Sequence, residues 1–308
     1  MVDRLWRDPR FARLGWLLLI LWALTGVQIL LGLPAAYDGS DLRVGQEAAV
    51  RLLDGRPLFG WDLAASGQQP LFFHYSPAAA AVFTAFLPLG SLAVAVWRIA
   101  TVIALLAALG PRIGLLVICS APIVVDLYTC NGTGLALALI VVMLRRPTAV
   151  RLFAVALMIF LAPRTPFVPV LAFILIVERG WWPIALAGAI VGAVSLAIGQ
   201  VPEYALAVLG STSEIFAPAN IGPSSYVGGW WLVVSIPVAA GLTLLACRWR
   251  DRTVLGAAMV FMAPYWFLAT LAYFVLGPIT SLGSRGIGPQ PVLEPAPAPT
   301  GLPSPAQS

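Results

Sequence analysis

The sequence predicts an all-α, polytopic helical membrane protein, and three observations carry that expectation. Of its residues 60% are hydrophobic and only 10% charged, where an ordinary soluble domain carries roughly a quarter charged. Apolar runs recur from residue 14 to residue 282, and a span needs about 20 predominantly apolar residues to cross ~30 Å of hydrocarbon. No segment alternates apolar and polar residues over the roughly ten positions of a membrane strand. One soluble core cannot hide this much apolar surface, whereas helices satisfy their own backbone groups in lipid. A soluble globular enzyme is thereby excluded.

At the N-terminus, Arg4, Arg7, Arg10 and Arg13 precede the first apolar run. That run exceeds the roughly 7 to 15 residues of a signal h-region, so it reads as an uncleaved first span over 14–33, with 1–13 cytoplasmic. Further spans are expected at 92–109, 113–128, 133–145, 149–162, 166–178, 181–198, 229–247 and 254–279, about nine in all. The apolar run 76–89 is short and closes on Pro88-Leu89-Gly90, which suits a re-entrant or interfacial helix. Arginine placement agrees, because cytoplasmic loops collect positive charge. With 76–89 not crossing, Arg112, Arg145, Arg146, Arg151, Arg179, Arg248, Arg250 and Arg252 join the N-terminal four on the cytoplasmic side.

The membrane domain is therefore expected over 14–282, with outer loops at 34–90 and 199–228. A Pro-, Gly- and Ala-rich tail over 283–308 reads as disordered and external. The outer loops collect Asp38, Asp41, Glu47, Asp54, Asp62, Glu203 and Glu214, so chemistry is expected there. All 18 basic residues are arginine, and they sit in short loops between apolar runs. The chain's formal net charge of +5 thus reads as membrane topology, with no nucleic-acid partner. Three cysteines, an odd number, argue against a disulfide framework, and no zinc spacing, Walker loop, dinucleotide glycine motif or nucleophile elbow occurs. Neither a metal nor a cofactor is expected.

Within the first outer loop, Ser40 can cap an amphipathic surface helix that starts at Asp41 and runs to Leu53. Glu47, Asp54 and Asp62 read as solvated polar-face residues, whereas Asp41 and Asp38, next to the first span, are candidates for chemistry. Phe72-Phe73-His74-Tyr75-Ser76-Pro77 holds the only histidine, which suits phosphate contact or proton transfer and equally an interfacial aromatic cluster. Arg164, in Pro163-Arg164-Thr165-Pro166, stands on the outer side against the charge bias, where it either binds an anion or snorkels. Arg98 and Asp126 fall in or near apolar runs, as a functional or a structural pair. Asn131-Gly132-Thr133 matches a glycosylation sequon.

These stretches resemble a known family. Asp41-Leu42-Arg43-Val44, Glu47-Ala48-Ala49, Leu53-Asp54-Gly55-Arg56-Pro57-Leu58-Phe59 and Phe73-His74-Tyr75-Ser76-Pro77 are similar to the first outer loop of the polyprenol-phosphate-mannose-dependent mannosyltransferases of the GT-C membrane class. Ala162-Pro163-Arg164-Thr165-Pro166 and Glu178-Arg179-Gly180-Trp181-Trp182 resemble the family's K-P turn and R-R-x-W end, and Cys130-Asn131-Gly132 stands at its G-Q-x-N segment. The resemblance implies a GT-C-like fold and an inverting transfer of a sugar, mannose in that family, from a polyprenyl-phosphate donor to a lipid or glycan acceptor on the outer face. On that footing Asp41 is the general base with Asp38 in reserve, while Arg164, His74 and Arg43 bind the donor phosphate. Two other readings stay open: a transporter or flippase of lipid-linked sugars working through Arg98 and Asp126, and a non-catalytic membrane partner that recruits through its tail.

Overall fold

The computed structural model describes residues 5–6, 8–32, 38–60, 73–210, 221–263 and 268–283. Asp62, Glu214 and the tail 284–308 lie outside the described residues. Among the described residues the regular structure is all helical.

Helix α1 (Pro9–Leu30) opens on Asp8, whose carboxylate accepts the Arg10 N–H at 2.8 Å. α2 (Ser40–Leu53) and α3 (Pro77–Phe83), extended by a 3₁₀ segment Thr84–Leu89, form the first loop region. Then follow α4 (Leu92–Leu109), α5 (Pro111–Ile118), α6 (Ala121–Thr129), α7 (Thr133–Arg145) and α8 (Ala149–Leu161). A 3₁₀ turn, Thr165–Phe167, leads into α9 (Val168–Ile176), and α10 (Trp181–Ile198) and α11 (Val201–Gly210) come next. The chain continues through α12 (Ser224–Val227), α13 (Trp230–Trp249), α14 (Arg252–Met262), a 3₁₀ segment Leu268–Val275 and α15 (Leu276–Gly283).

Four helices, α1, α4, α10 and α13, are long and apolar enough to cross a membrane, and α5 with α6 makes a fifth candidate bent by 71°. Each long helix exposes a broad apolar face, for instance Leu17, Leu18, Leu21 and Leu24 on α1. The segment 113–128, expected as a single span, is therefore divided into two helices. The cause is Pro122: it has no N–H to give to the Ile118 carbonyl and its ring clashes there, so the helix stops and restarts. The expected span over 254–279 is likewise divided, for Ala263 takes an extended backbone (φ −71°, ψ 128°) ahead of Pro264, as the residue before a proline prefers. At 13 residues each, α7 and α8 rise about 20 Å, less than the ~30 Å of hydrocarbon. The run 76–89 is a short broken helix, the length expected for it.

Two ends of the bundle are distinguishable. At one, the loops carrying most of the arginines meet: Arg145 reaches the Ala108 carbonyl, Arg252 Nη2 donates to Leu144 O at 2.7 Å, and Trp6 Nε1 donates to Thr253 Oγ1 at 3.1 Å. At the other, the first loop is tied down. Gly39 N donates to Tyr128 O at 2.8 Å, Ser76 N to Leu161 O at 3.0 Å, and Leu58 N to Gln200 Oε1 at 2.7 Å. The core between them is aliphatic, built from buried residues such as Leu105, Ile123, Leu137, Ile140, Ile174 and Leu255.

Close approaches fix the helices around the site. A Cβ on Gly45 would fall 2.6 Å from the Phe83 ring, so glycine lets α3 lie against α2. A Cβ on Gly134 would meet Thr101 Cγ2 at 2.7 Å, which sets the approach of α7 to α4.

Candidate functional site

The start of α2 is a backbone junction. Gly39 takes the left-handed conformation (φ +66°) that glycine adopts without strain, and its carbonyl accepts Arg43 N at 3.0 Å. α2 therefore begins at Ser40, one residue earlier than expected, and no side chain caps it, which corrects the capping role expected of Ser40. Leu42, Val44, Ala48 and Ala49 are buried, and Asp41 is half-buried on a different face.

Across from it, the turn between α6 and α7 presents Asn131. Cys130 (φ +59°) and Gly132 (φ +87°) are both left-handed, so the chain reverses sharply around this residue. Asp126 holds the turn in place: its buried carboxylate accepts Thr133 N at 2.6 Å and Gly134 N at 3.0 Å. In effect Asp126 caps α7, whose own N-cap residue is a glycine without a side chain. The expected pairing of Asp126 with Arg98 is not formed. Arg98 turns instead to Asp38, which it contacts through Nη2, and to the Leu127 and Tyr128 carbonyls at 2.8 and 2.9 Å.

Asn131 joins the two residues singled out above. Its Nδ2 donates to Asp41 Oδ2, while its Oδ1 accepts Arg164 Nη1 at 2.5 Å and Thr133 Oγ1 at 2.9 Å. The charges require this orientation of the amide. Flipped, its oxygen would face a carboxylate and its nitrogen a guanidinium. Arg164 also donates through Nη2 to the Tyr75 hydroxyl at 3.1 Å, and its guanidinium carbon lies 5.7 Å from the Tyr75 ring centre. Tyr75 is delivered by Ser76, whose N–H and hydroxyl both donate to Leu161 O at 3.0 Å, three residues before Arg164. Asp41, Asn131, Arg164 and Tyr75 thus form one network from four separate stretches of chain.

Burial pushes the Tyr75 phenol up to about 12, against the opposing pull of the Arg164 charge. The hydroxyl therefore stays protonated at neutral pH, accepting from Arg164 while it keeps a proton of its own to donate. Around it runs an aromatic chain: Phe59 to Phe73 at 5.7 Å, Phe73 to Tyr75 at 5.6 Å and Tyr75 to Phe83 at 5.9 Å. His74, between Phe73 and Tyr75 in the sequence, is half-buried. Glu47 and Asp54 are taken up by Arg51 and Arg56, at 2.9 and 2.8 Å, as polar-face residues would be.

No family model, curated protein or solved structure matches this chain. The site therefore has to be read from its own residues. It brings Asp41 and Arg164 together, with Tyr75 and Asn131 as members the sequence reading had not assigned. The sequon and Gly132, which takes positive φ without strain, were the signal at Asn131, because a polar side chain on so tight a turn is held at a fixed angle. Arg43, the third residue expected at the donor phosphate, is exposed and lines a cleft with Asp38 and Arg98, and no hydrogen bond or ion pair among the described residues joins it to Arg164.

Proposed function

We propose that the protein is a membrane glycosyltransferase of GT-C-like fold, moving a sugar such as mannose from a polyprenyl-phosphate donor to a lipid or glycan acceptor, with inversion. The observation that carries this reading is the single amide of Asn131 held between the Asp41 carboxylate and the Arg164 guanidinium. Inverting transfer needs a base at the nucleophile and a fixed cation at the leaving group, held in one rigid frame. Asp41 takes the proton of the acceptor hydroxyl as its oxygen attacks the anomeric carbon. The bond from that carbon to the phosphate oxygen breaks, and the lipid phosphate leaves with the electron pair. Arg164 neutralises the charge that develops, and the Tyr75 O–H donates to the same oxygens. His74, next to Tyr75 in the chain, is a further donor at the phosphate. No metal or cofactor enters this scheme.

In this reading the site faces the outside, with a cytoplasmic N-terminus and an external tail. The gathering of the arginine-bearing connections at the opposite end of the bundle supports that orientation. It also weighs against the transporter reading that Asp126 is engaged by backbone N–H groups.

The test is sugar transfer by the purified full-length chain in proteoliposomes supplied with synthetic polyprenyl-phosphate sugars and the native lipid extract as acceptor. Labelled sugar should appear in product with inverted anomeric configuration, and release of sugar-free carrier without product, or no turnover with any donor, sinks the reading. For the topology, cysteine at Ser304 in a background free of Cys119, Cys130 and Cys247 should react with an impermeant thiol reagent in intact cells. Reaction only after lysis reverses the orientation.

A further inference from the structure

We infer a second ligand site, for an anionic lipid, in the cleft between α2 and the start of α4. The cleft has a volume of about 640 Å³, within the roughly 300–1,000 Å³ of small-molecule sites. Its lining is mixed: Arg43, Arg98, Asp38 and Gln46 are polar, and Leu87, Val94 and Ala95 are apolar.

Its charge is unbalanced in one direction. Asp38 offsets Arg98, to which it is ion-paired. Arg43 is left over: its guanidinium has no hydrogen-bond or ion-pair partner among the described residues, while its neighbours on the first loop, Arg51 and Arg56, are paired with Glu47 and Asp54. Arg98 adds a second guanidinium to the lining, held by the Leu127 and Tyr128 carbonyls, by Asp38 and by the Cys130 thiol. Two guanidinium groups thus line one cavity whose only carboxylate, among its described lining residues, is already engaged, and Arg43 is the one left to take an anion.

The apolar wall continues outward. Val94 and Ala95 belong to α4, a candidate span whose exposed face carries Leu92, Val96, Ile99 and Ile103. The cleft lies at the first turns of that span, beside Gly90 and Ser91. At this level lipid headgroups meet the chain ends of the bilayer, and a guanidinium at a span end is placed to take a phosphate. An anionic head at Arg43, beside Arg98, with a hydrocarbon chain running along α4 matches both the polar and the apolar residues of the lining. A soluble anion would leave the apolar wall unused. This site does not depend on the glycosyl-transfer reading, because binding can be measured without turnover.

The experiment measures binding of dioleoyl phosphatidic acid to the detergent-solubilised full-length protein. Dioleoyl phosphatidylcholine, with the same chains and no net charge, and inorganic phosphate, with charge and no chains, are run in parallel. Phosphatidic acid should bind saturably and at least about tenfold more tightly than either, as one charge-assisted contact to a desolvated phosphate implies. Arg43→Ala should weaken it about tenfold and Arg43→Lys less. Ala95→Trp, which fills the cleft from an exposed position without touching the charges, should weaken it as well. Arg56→Ala, a charge removed from the same loop outside the cleft, should leave binding within about twofold of wild type. The inference is overturned if Arg43→Ala binds like wild type, if Arg56→Ala loses as much as Arg43→Ala, if phosphatidylcholine binds as well, or if phosphate alone competes as strongly.

Discussion

Replacing Asp41 by asparagine separates chemistry from architecture. The new side chain keeps an oxygen where Asp41 Oδ2 accepts the Asn131 amide, so the bridge to Arg164 survives with its geometry. At the Asn131 hydrogen bond what is lost is charge assistance, about 1 kcal/mol of stability. The basicity goes entirely, and a positioned general base contributes about 10²- to 10⁴-fold, or roughly 3–5 kcal/mol of barrier. Turnover should therefore fall far more than stability. The assay pairs initial rates of sugar transfer in proteoliposomes with thermal unfolding followed by tryptophan fluorescence in detergent. Asp38→Asn is the control. It removes an ion pair with both partners more than a third exposed, at 39% and 34%, worth at most about 1 kcal/mol, and Arg98 keeps its two carbonyl acceptors. Near-normal turnover of Asp41→Asn refutes the base assignment, and so does a loss that only follows the fraction unfolded.

Other outcomes follow from the same contacts. Arg164→Ala should raise the donor KM by about tenfold or more, with Arg164→Lys in between because lysine keeps the charge and loses the planar fork; an unchanged KM in both would leave Arg164 a structural residue. Gly26→Ala should destabilise by about 1–3 kcal/mol, since its Cβ would press on backbone 2.8 Å away at Ala121 N, where α1 crosses the break before α6. Gly192→Ala, with nothing within 4 Å, should be neutral or stabilising by up to about 1 kcal/mol in the same unfolding assay. Tyr75 holds its proton in the folded state up to about 12, against an ordinary value of 10.0. Between those limits the unfolded chain has lost a proton that the folded chain keeps, so stability present below pH 10 should fall as pH rises toward 12. Unfolding midpoints across that window should drop less in Tyr75→Phe than in wild type, and parallel curves would refute the buried phenol.

Reading the chain from composition works where one property of a segment decides its fate. The helices α1, α4, α10 and α13 were legible because a long apolar run has one way to satisfy its backbone in lipid. The amphipathic helix α2 was legible because apolar residues such as Leu42, Ala49 and Leu52 recur among Arg43, Glu47 and Arg51 at helical spacing. The division of 113–128 was also written in the sequence, at Pro122, but its sharpness depends on Gly26 letting α1 lie against the break.

The site is different in kind. Asp41 and Arg164 stood out locally, one as an acid at a helix start and the other as a lone outer cation. What joins them is Asn131, 90 residues from Asp41 and 33 from Arg164. Its angle is set by Asp126 capping α7 and by left-handed backbone at Cys130 and Gly132. Arg43 shows the converse: two positions from Asp41 in sequence, it turns through about 200° of helix and faces another cleft. Sequence by itself determined which segments are helical and which residues carry charge into apolar surroundings, because those follow from local composition. Which of those charges share a site was decided by tertiary structure, because packing helices from distant parts of the chain sets distances that no spacing along it encodes.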